Sequence, residues 1–318
     1  MARYVLQRLG AVVVVLAIMS ILVFLATHAL PSNTAQLILG QYSTPETQAA
    51  LEHKLGLDLP LPLQYWRWAS SVLHGDLGQS LVMERPVAPL LWDALARSAV
   101  LSLAAMALVS TLGPAIGVIA AVHQGRWPDH LSTIFTYLGI SVPEFYWGLV
   151  LILIFGSTLH LLPTSGAADF SDGIGPFVAH LVLPVITLTL TLLAHVSRLT
   201  RSSMIEALDS VYVKVARSRG LPERVVIVRH ALRNALLPTI TVLAQDFGFL
   251  IGGIVAVEAI FAYPGIGRLL IFALQRQDLP LMQSAILVLT AVYCLANLGA
   301  DLLYGVANPR IRYGGGLD

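Results

Sequence analysis

The sequence predicts an all-α polytopic membrane protein with six transmembrane helices and one sizeable external loop after the first. Three observations carry that prediction. Of 318 residues, 56% are hydrophobic and only 12% are charged, about half the charged share of a soluble domain. The mean hydropathy is +0.76. Six apolar segments, near 9–30, 98–122, 131–159, 177–197, 236–260 and 281–306, are long enough to cross a bilayer, which takes about 20 residues in a helix. The net charge of +1 points to no class of partner. The single cysteine, Cys294, rules out an internal disulfide and argues against a Cys-based metal site.

The N-terminal "MARYVLQRLGAVVVVLAIMSILVFLATHAL" has a basic start and an apolar run longer than a signal peptide's, and no small-x-small cleavage site follows closely. It reads as a retained first span. The external loop, 31–97, is punctuated by Pro45, Pro60, Pro62, Pro86 and Pro89, with short amphipathic pieces between them. Its "QYWRW", Gln64–Trp68, has the aromatic and basic character of an interfacial anchor. In the second span Gly113 and Gly117 form a GxxxG suited to close helix packing. The third is interrupted by Pro143 and Glu144. The fourth carries Thr187 and Thr191, one turn apart, which can offer hydroxyls to a cavity. The fifth carries Asp246, a second GxxxG at Gly248 and Gly252, and Glu258. The sixth carries Asp301 near its inner end, where a pairing role is favoured. No strand-rich domain, low-complexity tract or internal repeat is evident. The nine histidines show no metal-ligand spacing, and His28, His160, His180 and His195 read as isolated, mostly interfacial residues.

Orientation follows from the basic residues. With the N-terminus inside, the cytoplasmic parts hold Arg3, Arg8, Arg126, Arg198, Arg201, Lys214, Arg217, Arg219, Arg224, Arg229, Arg233, Arg310 and Arg312, which is 13 of 19. Of the other six, Lys54, Arg67, Arg85 and Arg97 lie in the long external loop, where the rule is weak, and only Arg268 and Arg276 lie in a short one. Both termini are therefore expected in the cytoplasm.

Six of those cations fall in "VYVKVARSRGLPERVVIVRHALRNALLP", Val211–Pro238, within the cytoplasmic loop 198–235. Holding the loop inside explains the charge but not the pattern. Val211, Val215 and Ser218 share one helical face, and Val225, Val228 and Leu232 another. Gly220-Leu221-Pro222 breaks the pattern, because Gly ends helices and Pro suits the first turn of the next. Two short amphipathic helices with a sharp corner are expected, forming a docking surface. A nucleic-acid patch would want a free basic domain rather than a tethered loop.

This segment resembles the cytoplasmic loop of permease subunits of ATP-binding-cassette importers. Their coupling helix reads Glu-Ala-Ala, three residues, Gly, and docks in a groove of the ATPase subunit. Here Lys214, Val215 and Ala216 stand in the first three places, Arg217, Ser218 and Arg219 follow, and Gly220 closes; only Ala216 and Gly220 match. The wider wording is similar to the peptide/nickel branch. So are "TPETQAALEHKLGLDLPLPLQYWRW", "HGDLGQSL", "SVPEFYWG", "VEAIFAYPGIGRLL" and "NPRIRYG". The resemblance spans essentially the whole chain, from "RYVLQRL" onward. It departs at "LPSNTA", 30–35, where the family has Gly-Asp-Pro after Leu-Pro.

The resemblance implies a type I importer permease fold in a bacterial inner membrane. It implies a second homologous permease, two cytoplasmic ATP-binding subunits and an external solute-binding protein as partners. The solute would be a di- or oligopeptide, with nickel or another metal chelate as the alternative. ATP and Mg would be held by the partner subunits, and this chain would hold no cofactor. The residues agree on one point without the family: a P-loop ends in Gly-Lys-Ser/Thr, and neither lysine, Lys54 nor Lys214, has that context.

Charges within spans are expensive and usually functional. Glu144 either caps a helix restarted at Pro143 or lines the pathway. Asp246 is either a helix–helix hydrogen-bond partner or a pore-lining acid; the resemblance favours the latter. Glu258, Pro264 and Gly265 are candidates for an outward-facing gate, with Pro-Gly-Ile-Gly as its turn. An intramembrane aspartyl protease built on Asp246 and Asp301 is the remote alternative, but Gly-x-Gly-Asp, HExxH and Gly-x-Ser-x-Gly are all missing.

Overall fold

The computed structural model describes residues 2–29, 44–47 and 58–307, with side chains throughout except at 2–4, 249, 251, 252 and 303–307. The "LPSNTA" departure, most of the proline-rich stretch before Asp58 and the C-terminal "NPRIRYG" lie outside these residues. The described chain is helical apart from one isolated bridge, Gln79 with Pro86. In order it forms α1 (Ala2–Ala29), α2 (Leu61–Leu73), α3 (Val87–Val122), α4 (Trp127–Ser141) and α5 (Glu144–Leu151). Then come α6 (Ile174–Asp209), α7 (Val211–Ser218), α8 (Leu232–Ile260), α9 (Ile266–Arg276) and α10 (Leu279–Ala307). Five helices are long and apolar enough to span a membrane, and the pair from α4 to Thr158 makes a sixth if its bent halves count as one.

Several helices overrun the expected spans. α3 begins at Val87 and α6 runs on to Asp209, each 36 residues, or about 54 Å at 1.5 Å per residue. Arg97, Arg198 and Arg201 made the apolar windows end early, yet a polar residue leaves the hydrocarbon without ending a helix. Pro114, Pro184 and Pro238 likewise sit inside continuous helices, as tolerated where neighbours re-satisfy the freed carbonyls. The third segment behaves differently from a straight span. It bends by 105° between Ser141 and Glu144. Val142, preceding Pro143, is extended at φ −106° and ψ 127°, as proline demands of the residue before it.

The described chain divides into two compact units. Of the described residues, the larger holds 99–263 with 2–5 and 295–307. Its central helix is α6, which packs on α4, α5 and α8. Half of α6's most apolar stretch is buried within the chain, against 11% for α1; α1 thus keeps its surface for lipid or another subunit. Leu101, Ala105 and Val109 of α3 meet Leu183, Leu188, Leu192 and Val196 of α6, and Leu250, Ile254 and Val257 of α8.

The second unit holds 6–98 and 264–294. Val87 and Leu91, Ile266 and Ala273, and Leu281, Met282 and Ala285 form its core. On α2, Leu63, Trp66 and Leu73 stay exposed, while Tyr65 reaches the Ser20 hydroxyl at 2.9 Å and Trp68 lies beside Phe24. That one-sided display fits the expected interfacial anchor.

A fully buried acid that the sequence reading overlooked organises this unit. Asp278 precedes α10 as its N-cap, accepting from the Leu281 N–H through Oδ1 at 3.3 Å. Its Oδ2 accepts the Ser80 hydroxyl at 2.5 Å and the Val82 N–H at 3.2 Å. The "HGDLGQSL" strap is thereby pinned to the start of α10. Removing the carboxylate would uncap a helix and orphan buried donors at once. Asp278→Ala should therefore cost about 2–4 kcal/mol, read as a lowered melting temperature in detergent, with Asp278→Asn intermediate. An unchanged melting temperature for the Ala variant would contradict this role.

Candidate coupling surface and passage residues

The basic loop folds from the C-terminal end of α6. Ser210 ends that helix, and α7 follows immediately. Val213 and Ala216, one turn apart, are buried against Ala121 of α3, Met204 and Ala207 of α6, and Val226, Ala231 and Ala235 on the way into α8. Small side chains dominate this cluster, so the helices approach closely. The opposite side of α7 is open: Val211 is 77% exposed, Tyr212 42% and Val215 44%. Lys214, Arg217, Ser218, Arg219 and Gly220 are exposed around it.

The face shared by Val211 and Val215 is turned outward, as a docking surface requires, whereas Val213 and Ala216 hold α7 to its own chain. Ala216, which the resemblance places in the coupling helix, turns its methyl into the chain's own core, because an i, i+3 pair of small apolar residues is what seats so short a helix. The second helix of the loop is not a separate short element. Pro222 starts a helical turn at Glu223–Val225, which passes through a π-helical stretch, Val226–Ala231, into α8.

The corner itself forms as expected. Gly220 adopts φ +76°, and no atom lies within 4 Å of where its Cβ would be. Arg217 donates to Glu223 across the corner, Nη2 to Oε1 at 2.6 Å. Glu223 holds the Arg217 guanidinium above its ordinary range, so the arginine stays charged at any accessible pH. Both partners are exposed, and such a pair is worth about 0–1 kcal/mol.

The acids within the helices are handled in different ways. Asp246 on α8 is 7% exposed. Its Oδ2 makes no hydrogen bond and sits 3.6 Å from Nδ1 of His195 on α6. His195, expected to be isolated, is thus the side chain that faces Asp246. Thr187, Thr191 and His195 are spaced by four and share one face of α6. Thr187 returns its hydroxyl to Leu183 O at 2.8 Å, while Thr191 Oγ1 and the nearby helix α5's Trp147 Nε1 are buried without a hydrogen-bond partner. Buried polar atoms are rarely left so.

Glu144 opens α5 directly after Pro143. It lies in the first turn, where an acid suits the helix dipole, and its carboxylate presses on Gly253 of α8, where a Cβ would overlap it. Gly248 packs in the same manner on Asn297, whose Oδ1 is 2.9 Å from the would-be Cβ; the packing of Gly252 lies outside the described side chains. Glu258 is fully enclosed and presents no surface; its main-chain carbonyl accepts from Tyr263 N at 2.9 Å. In the second unit, Pro264 precedes the buried, extended Gly265, which caps α9. The Ser98 hydroxyl accepts from Ile266 N at 2.9 Å. Among the described residues no group of three metal-ligating side chains occurs.

A family model for the N-terminal part of binding-protein-dependent transport membrane components matches residues 1–112, and one described as binding-protein-dependent transport system inner membrane component matches 113–313. The glutathione transport system permease protein GsiC of Salmonella paratyphi A is 39% identical over 313 residues, covering 98% of this chain and all of the relative. The GsiC of Escherichia coli strain K12 matches equally. A crystal structure of an amino acid ABC transporter with histidines shares the fold at a TM-score of 0.50 and 17% identity, over 70% of this chain and 95% of that one. The chain belongs to the binding-protein-dependent transport system inner membrane components and is a multi-pass permease of an ABC importer.

Proposed function

We propose that this permease carries peptide-type solutes and is driven by cytoplasmic ATPases docked on α7. It forms half of a translocation pathway with a second homologous permease. Two ATP-binding subunits, which hold ATP and Mg, sit on the cytoplasmic side; an external solute-binding protein delivers the solute. Both termini face the cytoplasm. The observation that carries the reading is the open face of α7. It combines exposed Val211, Tyr212 and Val215 with surrounding cations, and it is seated on the inner ends of α3, α6 and α8. An apolar patch on a charged loop marks an interaction site. The relatives' naming for glutathione supports a short peptide over a metal chelate.

The mechanism is alternating access. ATP closes the ATPase pair, the seated α7 moves with the helices beneath it, and the pathway opens outward to take solute. Hydrolysis resets it.

Two variants test the docking. Val215→Asp places a charge on the open face without touching the buried cluster. Gly220→Val strains a corner at φ +76°, which costs about 1–2 kcal/mol for a residue with a Cβ. Both should insert and pair with the sister permease yet lose co-purification of the ATPases. Full ATPase recovery with normal uptake in both would refute the docking.

Asp246 is assigned to the pathway through its pairing with His195. Asp246→Asn keeps a hydrogen-bonding side chain but removes the charge. It should leave assembly intact and slow uptake by reconstituted complex. Wild-type uptake would reduce Asp246 to packing.

A further inference from the structure

We propose that one turn of α6, Ser197–Arg201, is the joint that carries α7's motion to the rest of the bundle, with Asp129 and Arg201 as its positioning residues. The inference rests on the ATPase-docking reading of α7.

This turn touches three other helices through side chains that suit no lipid-facing role. Arg201 donates through Nε and Nη2 to both oxygens of Asp129 on α4, the second at 2.9 Å. Asp129 is 4% exposed and also accepts the Gly125 N–H at 2.9 Å. One turn along each helix, Ser132 faces Ser197 at 3.5 Å. On the side of α8, Thr200 gives its proton to Val196 O at 2.8 Å. It therefore accepts from Thr239, whose hydroxyl lies 3.0 Å away with both residues fully buried. On the side of α3, Gly117 lies so close that a Cβ would sit 2.6 Å from Ser197 O and 3.0 Å from Arg201 N.

A buried ion pair is weak evidence for stability, since apolar residues of equal volume often serve as well. What a bidentate pair adds is direction: guanidinium and carboxylate meet in one plane and register. Just beyond this turn, Met204 and Ala207 share the cluster that seats Val213 and Ala216. The path from α7 is thus continuous. It runs through that cluster into the Arg201 turn, then through Asp129 into α4. At the far end of α4 lies the 105° bend, where Glu144 presses on Gly253. The first leg, from α7 to α6, is close apolar packing; from the Arg201 turn to α4 the displacement passes through the directional Arg201–Asp129 contact.

The test uses the full importer with its partner subunits in liposomes, in a Cys294→Ser background. Gln245→Cys, on an exposed position of α8, reports opening by its labelling rate with a methanethiosulfonate reagent, with and without ATP and vanadate. In the parent the rate should change on trapping. Asp129→Asn and Arg201→Lys should still co-purify the ATPases and hydrolyse ATP, yet show the untrapped rate under trapping. Arg201→Lys keeps the charge and loses only the fork, so it separates register from folding. An intact trapping response in both variants overturns the joint. Loss of ATPase binding in both overturns it too, since the pair would then shape α7 rather than transmit its motion. Failure of the docking reading has a different signature: Val215→Asp and Gly220→Val would leave the trapping response intact.

Discussion

The close packing of α6 is the constraint on which the larger unit depends. In hydrocarbon, apolar side chains gain nothing from leaving lipid for one another, so helices associate where backbones come near and polar groups meet. α6 satisfies both conditions along its length. Gly148 of α5 lies against Thr187, Gly139 of α4 against Ala194, and Gly117 of α3 against the Ser197–Arg201 turn. A methyl at Gly117 or Gly139 would force helices apart, and one at Gly148 would be tight against Phe261 and Thr187. The same helix continues beyond the apolar stretch and ends where α7 begins. A single rigid element thus runs from the buried centre of the unit to the surface proposed for the ATPases.

The charges follow a second rule, that each must be paired, capped or sealed. Asp278 is satisfied by three donors and acts as a fastener. Asp129 is satisfied by a guanidinium fork and one backbone N–H. Arg217 and Glu223 meet in the open, where little is gained. Asp246 departs from this rule, because one buried oxygen has no hydrogen bond and an imidazole lies 3.6 Å away. A group left incompletely satisfied in a native fold is where function is expected.

Much of this was legible in the sequence because bilayer thickness and helical period leave few alternatives. The apolar segments and the Gly220 corner follow from local composition. What was not legible depended on partners distant in sequence. Nothing near Asp129 announces Arg201, and nothing near His195 announces Asp246. Asp278 did carry a signal: an Asp directly before Leu-Pro and an apolar run is an N-cap pattern, though its bond to Ser80 is not readable locally. The shared face of Val211 and Val215 was legible from their spacing, but not which residues seat α7. A helix this short is seated by two contacts, and Val213 with Ala216 supplies them. The fourth helix runs on past its expected span for a related reason, since hydropathy marks where lipid stops and not where hydrogen bonding stops.

The central claim is that α7 and the bundle beneath it move as one body. Distance measurement between spin labels tests it most directly. One label replaces Ser218, exposed on α7, and the other Ile134, exposed on α4, with Cys294 changed to Ser and the sister permease unlabelled. The account predicts the same distance distribution in nucleotide-free and ATP-trapped importer, while the distance from Ser218 to a label on the sister permease changes. A shift of the Ser218–Ile134 distance on trapping would show α7 moving independently of the helices it rests on, and would contradict the account.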